Sequence, residues 1–250
     1  MNKLSKWFSD NGMIVNSDKT KVMLFSSRQK KQNCNFQIYM NGKLLENVDK
    51  LKHLGVTIEK SLNWSYHVDD VIKKIVRSIA CIRRIKSCLT IDNLKQLNFT
   101  LILPYLDYCC TVWGSLTKRD MLRIQKCQNK YARMILNADY NTPSLGLLHT
   151  LKWQPVDQRI NFHYYVTVYK SLHNLAPQYL CTLVKRRDIA YCTRYTISSQ
   201  LYLPKPRTEY RKRSFSYVPS KLYNNLPLYV QISPTLSIIK KRLQQHQSFM

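Results

Sequence analysis

Apolar positions change their rhythm along this chain, and the change divides it. Residues 2–10 carry Leu4, Trp7 and Phe8 at helix-compatible spacing. Asn11-Gly12 follows, where glycine accepts the left-handed backbone that ends helices. The period then shortens. Residues 22–25 form a short apolar strand, and Phe36, Ile38 and Met40 alternate with Gln37 and Tyr39 before meeting Asn41-Gly42. That dipeptide predicts a two-residue hairpin, because both turn positions need positive φ. Leu51, Leu54, Val56 and Ile58 supply a further strand pair, or one bent strand, around Gly55.

After Trp64 the spacing becomes helical. Val68, Val71, Ile72, Ile75, Val76, Ile79 and Ile82 share one face, with Lys73, Lys74, Arg77 and Arg84 on the other. Residues 92–103 predict a second helix halted by Pro104, and 105–113 an apolar, buried segment. Residues 117–137 give the clearest helix. Thr117 is placed to cap it and Asp120 stands in the capping-box position, with Leu122, Cys127, Tyr131, Met134 and Ile135 as the inner face. A helix over 156–172 is rich in Tyr and Phe, which at that spacing read as core, and Pro177 starts a short one. Lys185-Arg186-Arg187 leads into irregular sequence, and the basic, aromatic, proline-punctuated stretch 207–227 predicts loop with short elements. The expected class is α+β, a small N-terminal hairpin or sheet followed by a mainly α-helical bundle.

Charge narrows the function. Lys and Arg number 40 against 14 Asp and Glu, a net charge of +26 that the fold cannot neutralise internally. At 44% hydrophobic, the 250 residues are too apolar for a disordered polycation and can build a core. Nucleic acid is favoured over an anionic membrane, because no basic segment is paired with a lipid-inserting face. The most apolar stretch, 97–113, is broken by Asn98, Pro104 and Asp107. No small-molecule substrate is indicated. The eight cysteines include no C-x-x-C pair, and several fall on apolar helical faces. With no secretory signal at the start, this fits a reduced intracellular setting, nucleus or cytoplasm.

Three strings carry a family resemblance: W-F-S-D-N-G-M-I-V-N-S-D-K-T-K-V-M-L-F from Trp7, N-F-Q-I-Y-M-N-G-K-L-L from Asn35, and K-H-L-G-V-T-I-E-K-S-L-N-W from Lys52. In this order they resemble the segment that follows the catalytic box in reverse transcriptases of non-LTR (LINE-type, jockey/RTE-like) retrotransposons. The stretch 207–227 resembles the region near the C-terminus of the same proteins, where a Trp commonly stands at Tyr223. The resemblance implies the end of a polymerase palm over 1–64, thumb-like helices over 65–140 and a helical, irregular basic region over 141–250. It also implies RNA or RNA–DNA duplex as partner. In that family the metal-binding aspartates lie upstream, and only residues 1–6 precede the match here. The expectation is a truncated RNA-directed DNA polymerase fragment, inactive alone and without a cofactor, Mg²⁺ belonging to the upstream palm. The alternatives are a piece of a complete polymerase whose upstream half the gene prediction omits, or a basic nucleic-acid-binding module retained by a host.

Candidate site residues follow. Two-metal phosphoryl transfer needs converging carboxylates. Asp69-Asp70 in Y-H-V-D-D is the one adjacent pair, but His67 takes the place of the tyrosine and the pair falls near a helix start, where acidic residues are ordinary. No metal site is expected. The resemblance gives Lys19, in N-S-D-K-T, an inherited role in protonating departing pyrophosphate. It likens Lys52, Leu54 and Gly55 to a primer grip, where glycine lets backbone approach a primer end. Spacing alone gives the strongest candidate. Arg119, Arg123, Lys126, Lys130 and Arg133 superimpose on a 3.6-residue repeat as a stripe with no acidic partner inside it. Lys73, Lys74, Arg77 and Arg84 form a second set.

Overall fold

The computed structural model describes residues 2–26, 37–40, 42–187 and 200–248. It falls into two units, Met1–Asp70 and Val71–Met250. The single division lies between Asp70 and Val71, and the helices on either side of residue 140 share the second unit.

The first unit opens with α1 (Asn2–Asp10), closed at Gly12, whose φ is +66° and whose N–H donates to Ser9 O at 3.0 Å. Six short strands follow: β1 (Lys21–Val22), β2 (Tyr39–Met40), β3 (Lys43–Leu44), β4 (Glu46–Asn47), β5 (Lys50–His53) and β6 (Val56–Glu59). β1 pairs with β4 in parallel, an alignment the Lys21–Glu46 ion pair reinforces. The expected strand over 22–25 is therefore only partly made. Beyond Val22 the run holds the ladder through Val48 N–H on Val22 O (2.8 Å) and Ser26 N–H on Lys60 O (3.1 Å). The β2–β3 hairpin has Met40 opposite Lys43 and Gly42 at φ +76°, as the turn chemistry predicts; Phe36 and Asn41 lie outside the described residues. In the β5–β6 hairpin, burial does not follow the apolar side chains. Val56, Thr57 and Glu59 are buried while Leu51 is exposed. Thr57 is drawn inward by polar bonds: its hydroxyl donates to Asp70 Oδ2 (2.7 Å) and its N–H to His67 Nδ1 (3.3 Å).

α2 (Ser65–Ile85) begins at this unit's end and runs into the second. Val68, Val71, Ile75, Ile79 and Ile82 are buried as the spacing predicts, whereas Val76 is exposed. Residues 92–103 do not make one helix ended by Pro104. α3 (Ile91–Leu97), capped by Thr90, passes into a π-helical turn over Asn98–Ile102, and α4 (Leu103–Asp107) starts there with Pro104 in its first turn. Proline begins this helix rather than ending one, since first-turn N–H groups have no intrahelical acceptor. α5 (Cys110–Trp113) follows Cys109 at φ +52°. The stretch 105–113 is half buried. Leu106, Cys110 and Trp113 face inward; Tyr108 and Val112 do not.

α6 (Lys118–Leu136) is capped at both ends, by Thr117 accepting from Asp120 N–H (3.2 Å) and by Asn137 in the left-handed region. Its inner face is Ile124, Gln128, Tyr131, Ala132 and Ile135. Leu122 is 60% exposed. It stands about two and a half turns before Tyr131 and so points the opposite way. α7 (Ser144–Leu151), which the pattern did not suggest, packs on α6. α8 (Val156–Leu172) is the central element, in contact with α4, α5 and α6 and, through its last turns, with the C-terminal helices. The C-terminal helices are α9 (Gln178–Cys181), α10 (Glu209–Lys212), α11 (Val218–Asn224), α12 (Leu228–Gln231) and α13 (Leu236–Ser248), of which α9, α11 and α13 meet α8. Val168 and Tyr169 form a core with Val184, Leu201, Tyr223, Val230, Ile239 and Leu243. Tyr223 is locked there, its hydroxyl donating to Gln231 O (3.0 Å) while Gln231 Nε2 donates back to Tyr223 O (3.1 Å).

Polar bonds fix α8 to its neighbours. Arg159 donates through Nε and Nη2 to the two Asp107 oxygens (2.6 and 2.5 Å), and His163 Nε2 lies 3.1 Å from Oδ1. Pro155 offers α8 no side-chain cap, and Gln125 Oε1 accepts the Val156 N–H instead (2.8 Å). Gly114 permits the close approach of α5 and α8, because a Cβ there would stand 2.5 Å from Ile160 Cγ2. Burial raises the Asp107 pKa, but the hydrogen bonds from His163 and Arg159 together outweigh it and hold the carboxyl below its ordinary 3.8.

Two predictions follow from this packing. Ile124→Ala lowers unfolding free energy by about 2–5 kcal/mol, and Leu122→Ala changes it by less than about 0.5 kcal/mol, read by urea denaturation of the full chain. The Asp107 contribution is fully present above the unfolded carboxyl's pKa and is lost as pH falls through the lower folded value. Asp107→Asn therefore destabilises the chain at neutral pH and flattens the acid limb of its stability–pH curve.

Candidate nucleic-acid interface

In the second unit the C-terminal turns of α2 and α6 border a groove of about 790 Å³. Arg83 and Lys86 line it beside Lys126, Asn129, Lys130, Arg133 and Asn137, with Met134, Ala138 and Tyr140 completing the wall. An adjoining recess of about 260 Å³ is lined by Val76, Ile79, Ala80, Arg83, Arg84 and Lys130. Arg83 and Lys130 line both, so the two spaces adjoin as one basic channel. Lys86 Nζ donates to Asn137 Oδ1, tying the end of α2 to the cap of α6 without spending a charge. Among the described lining residues none is acidic.

The predicted stripe on α6 is thus partly assembled into a site. Lys126, Lys130 and Arg133 line the groove. Arg119 is exposed but outside it. The expectation that the stripe holds no acidic partner is corrected by Asp120. Its Oδ1 accepts from Arg123 Nη1 at 3.1 Å, and its Oδ2 accepts from the Thr117 hydroxyl at 3.0 Å. The capping carboxylate therefore also neutralises one cation of the stripe. Arg133 is held by Thr142 O (3.1 Å) and lies 5.7 Å from the Tyr140 ring centroid.

Of the second set, Arg84 joins the recess, Lys74 sits 5.5 Å from the Tyr105 ring centroid, and Lys73 and Arg77 are exposed outside both spaces. Sequence reasoning missed Arg83, Lys86 and Tyr140. The run Arg83-Arg84-Ile85-Lys86 at a helix C-terminus, where cations are favoured by the dipole, was the signal for the first two.

The first unit places the remaining candidates separately. Lys19 is exposed in the turn after α1, where its N–H donates to Asn16 Oδ1 (3.2 Å) and the Thr20 hydroxyl to Asn16 O (2.8 Å). Asp18 pairs with Lys43 beside it. Lys52 is an exposed residue of β5. Leu54 and Gly55 form the β5–β6 turn with φ +45° and +81°, and Leu54 is 77% exposed. Asp69 and Asp70 fall in the second turn of α2 rather than the first, so the dipole explanation offered for them is replaced by the Thr57–Asp70 bond. Among the described residues no group of three His, Cys, Asp or Glu could hold a metal ion, and no helix is long and apolar enough to cross a membrane. Cys81, Cys88, Cys109, Cys110, Cys127 and Cys181 are free thiols, and burial pushes Cys110 up to about 12; Cys34 and Cys192 lie outside the described residues.

Comparison with known proteins agrees with the resemblance read from the strings. The chain is 25% identical over 164 residues, 64% of its length, to a probable RNA-directed DNA polymerase from transposon X-element of Drosophila melanogaster. It is 25% identical over 129 residues, half of its length, to the corresponding protein of transposon BS from the same fly. With the RNA-directed DNA polymerase from mobile element jockey of Drosophila funebris it shares 22% over 156 residues. The chain is thus a relative of non-LTR retrotransposon RNA-directed DNA polymerases and corresponds to a part of them. The matches span only 18%, 14% and 16% of the three relatives' lengths. No family model matches the chain, and no solved structure matches it.

The exposed hairpin tip yields a test. Leu54 bears a left-handed backbone that costs a β-carbon residue about 1 kcal/mol. Leu54→Asn stabilises the chain by roughly that amount and Gly55→Ala destabilises it comparably, measured by chemical denaturation.

Proposed function

We propose that this chain serves a retrotransposon RNA-directed DNA polymerase as its nucleic-acid-gripping part, the second unit acting as a thumb-like body and the first as the end of a palm. The observation that carries the reading is the channel, where cations from α2, the turn after it and α6 converge on one space with no acidic residue among its described lining. Phosphate backbones are held by such clusters through counter-ion release, a mode that tolerates any sequence. The relatives' shared description as RNA-directed DNA polymerases supports RNA or DNA as the polyanion.

A second reading concerns the first unit. The β5–β6 tip, with Lys52 beside it and Leu54-Gly55 at its end, suits close backbone approach to a primer terminus, and Lys19 suits a cationic proton donor near pyrophosphate. These roles require a polymerase that supplies metal-binding carboxylates together with Mg²⁺, and no carboxylate among the described residues is assigned that task.

Arg83, Lys86, Lys126, Lys130 and Arg133 set the expected salt response. If all five neutralise duplex phosphates, log K falls against log salt with a slope of about −4 to −5. Replacing Lys126 and Lys130 together by Glu brings the slope toward about −2 to −3, read by fluorescence anisotropy with an RNA–DNA duplex. A slope unchanged by that replacement removes the channel from the binding site.

A further inference from the structure

Tyr140 is 88% exposed at the rim of the basic groove, more than any other Tyr, Phe or Trp among the described residues. It is exposed, yet its backbone is held. Ala138 N–H donates to Arg133 O (3.0 Å), Thr142 N–H donates to Asp139 O (3.1 Å), and Arg133 Nη2 donates to Thr142 O (3.1 Å), closing the turn around it. The Arg133 guanidinium, 5.7 Å from the ring centroid, restrains the ring from one direction. Part of the ordering cost of a stacking contact is thereby met before any ligand arrives.

We propose that the groove takes an unpaired nucleic-acid strand, with one base stacked on Tyr140 and the flanking phosphates held by Lys126, Lys130, Arg83 and Lys86. This rests on the reading of the channel as a backbone-binding site and adds what kind of strand it takes. The reasoning turns on which surface a nucleic acid can offer. In a duplex the base faces are covered by one another, so a rim tyrosine meets only sugar and phosphate. A single strand presents open π-faces, and an aromatic side chain beside a cationic groove is the usual means of holding it without regard to sequence. The two-walled groove also suits one backbone, since cations approach from α2 on one side and α6 on the other. Stack and charge together need no 2′-hydroxyl, so ribo- and deoxyribo-strands bind alike.

Anisotropy titrations of the full chain test this with four fluorescein-labelled probes of equal length: oligouridylate, its deoxy counterpart, an abasic strand and a duplex. Tyr140→Ala weakens binding of both base-bearing single strands roughly tenfold, leaves abasic and duplex binding unchanged, and does not alter the salt slope. Tyr140→Phe, which keeps the π-face, stays close to wild type. Loss of equal size on all four probes, or no loss on any, overturns the stack, as does a strict requirement for ribose. If Lys126→Glu with Lys130→Glu reduces the salt slope while Tyr140→Ala has no effect, the stack falls and the backbone reading stands. If no probe binds in a salt-dependent way, both fall together.

Discussion

The second unit depends on α8 being clasped from two directions. Its first turns are held by α4, α5 and α6 through the Arg159–Asp107 bidentate pair, the Gln125 cap and the close contact at Gly114. Its last turns enter the core made with Tyr223, Val230, Ile239 and Leu243. A helix buried on several faces has no single apolar stripe, which is why its tyrosines and valines follow one another so closely. Half-buried, doubly hydrogen-bonded pairs such as Arg159–Asp107 give orientation more than net stability, because desolvation offsets much of their attraction. Orientation is what α4 requires, as it starts from a π-turn and a proline rather than from a continuous helix.

The distribution of charge follows from where the carboxylates went. With few acids available, the fold gives several of them internal tasks. Asp70 receives Thr57, Glu59 receives Ser61, Asp107 receives Arg159, and Asp120 serves both a helix cap and Arg123. Those uses leave α2 and α6 without acidic partners at their C-terminal ends. None of the ion pairs among the described residues involves Arg83, Lys126, Lys130 or Arg133. The concentration of positive charge is thus a consequence of the packing scheme, and the channel is where it collects.

Long, periodic elements were legible in the sequence. The bounds of α1 and α8, the cap at Thr117 and the hairpins at Gly42 and Gly55 follow from turn and capping chemistry that acts over a few residues. What failed was phase and long-range polar pairing. Leu122 is apolar and so expected inward, but its position on the repeat opposes Tyr131 and leaves it exposed. Thr57 and Glu59 are buried because of His67, Asp70 and Ser61, partners no strand periodicity can indicate. The stripe on α6 was visible, but its meeting with Arg83 and Lys86 depends on helix packing, and the Asp120–Arg123 pair inside it was overlooked as a cap alone.

The groove lies at two helix C-termini, which restricts the means by which the proposed site holds an anion. The dipole places roughly half a negative charge at such an end, so exposed carbonyls repel phosphate by about 0.3–1 kcal/mol per terminus. Helix N-termini bind phosphate with backbone amides; here that means is closed. Five full positive charges on long side chains outweigh the two partial negative ones. Lysine ammonium groups in particular act as point charges on flexible stems. On the proposed reading, a site built this way follows a backbone of any sequence and is sensitive to salt, while any preference must come from a rigid neighbour. Of the residues lining the groove, the one large ring held by the capping turn of α6 is Tyr140.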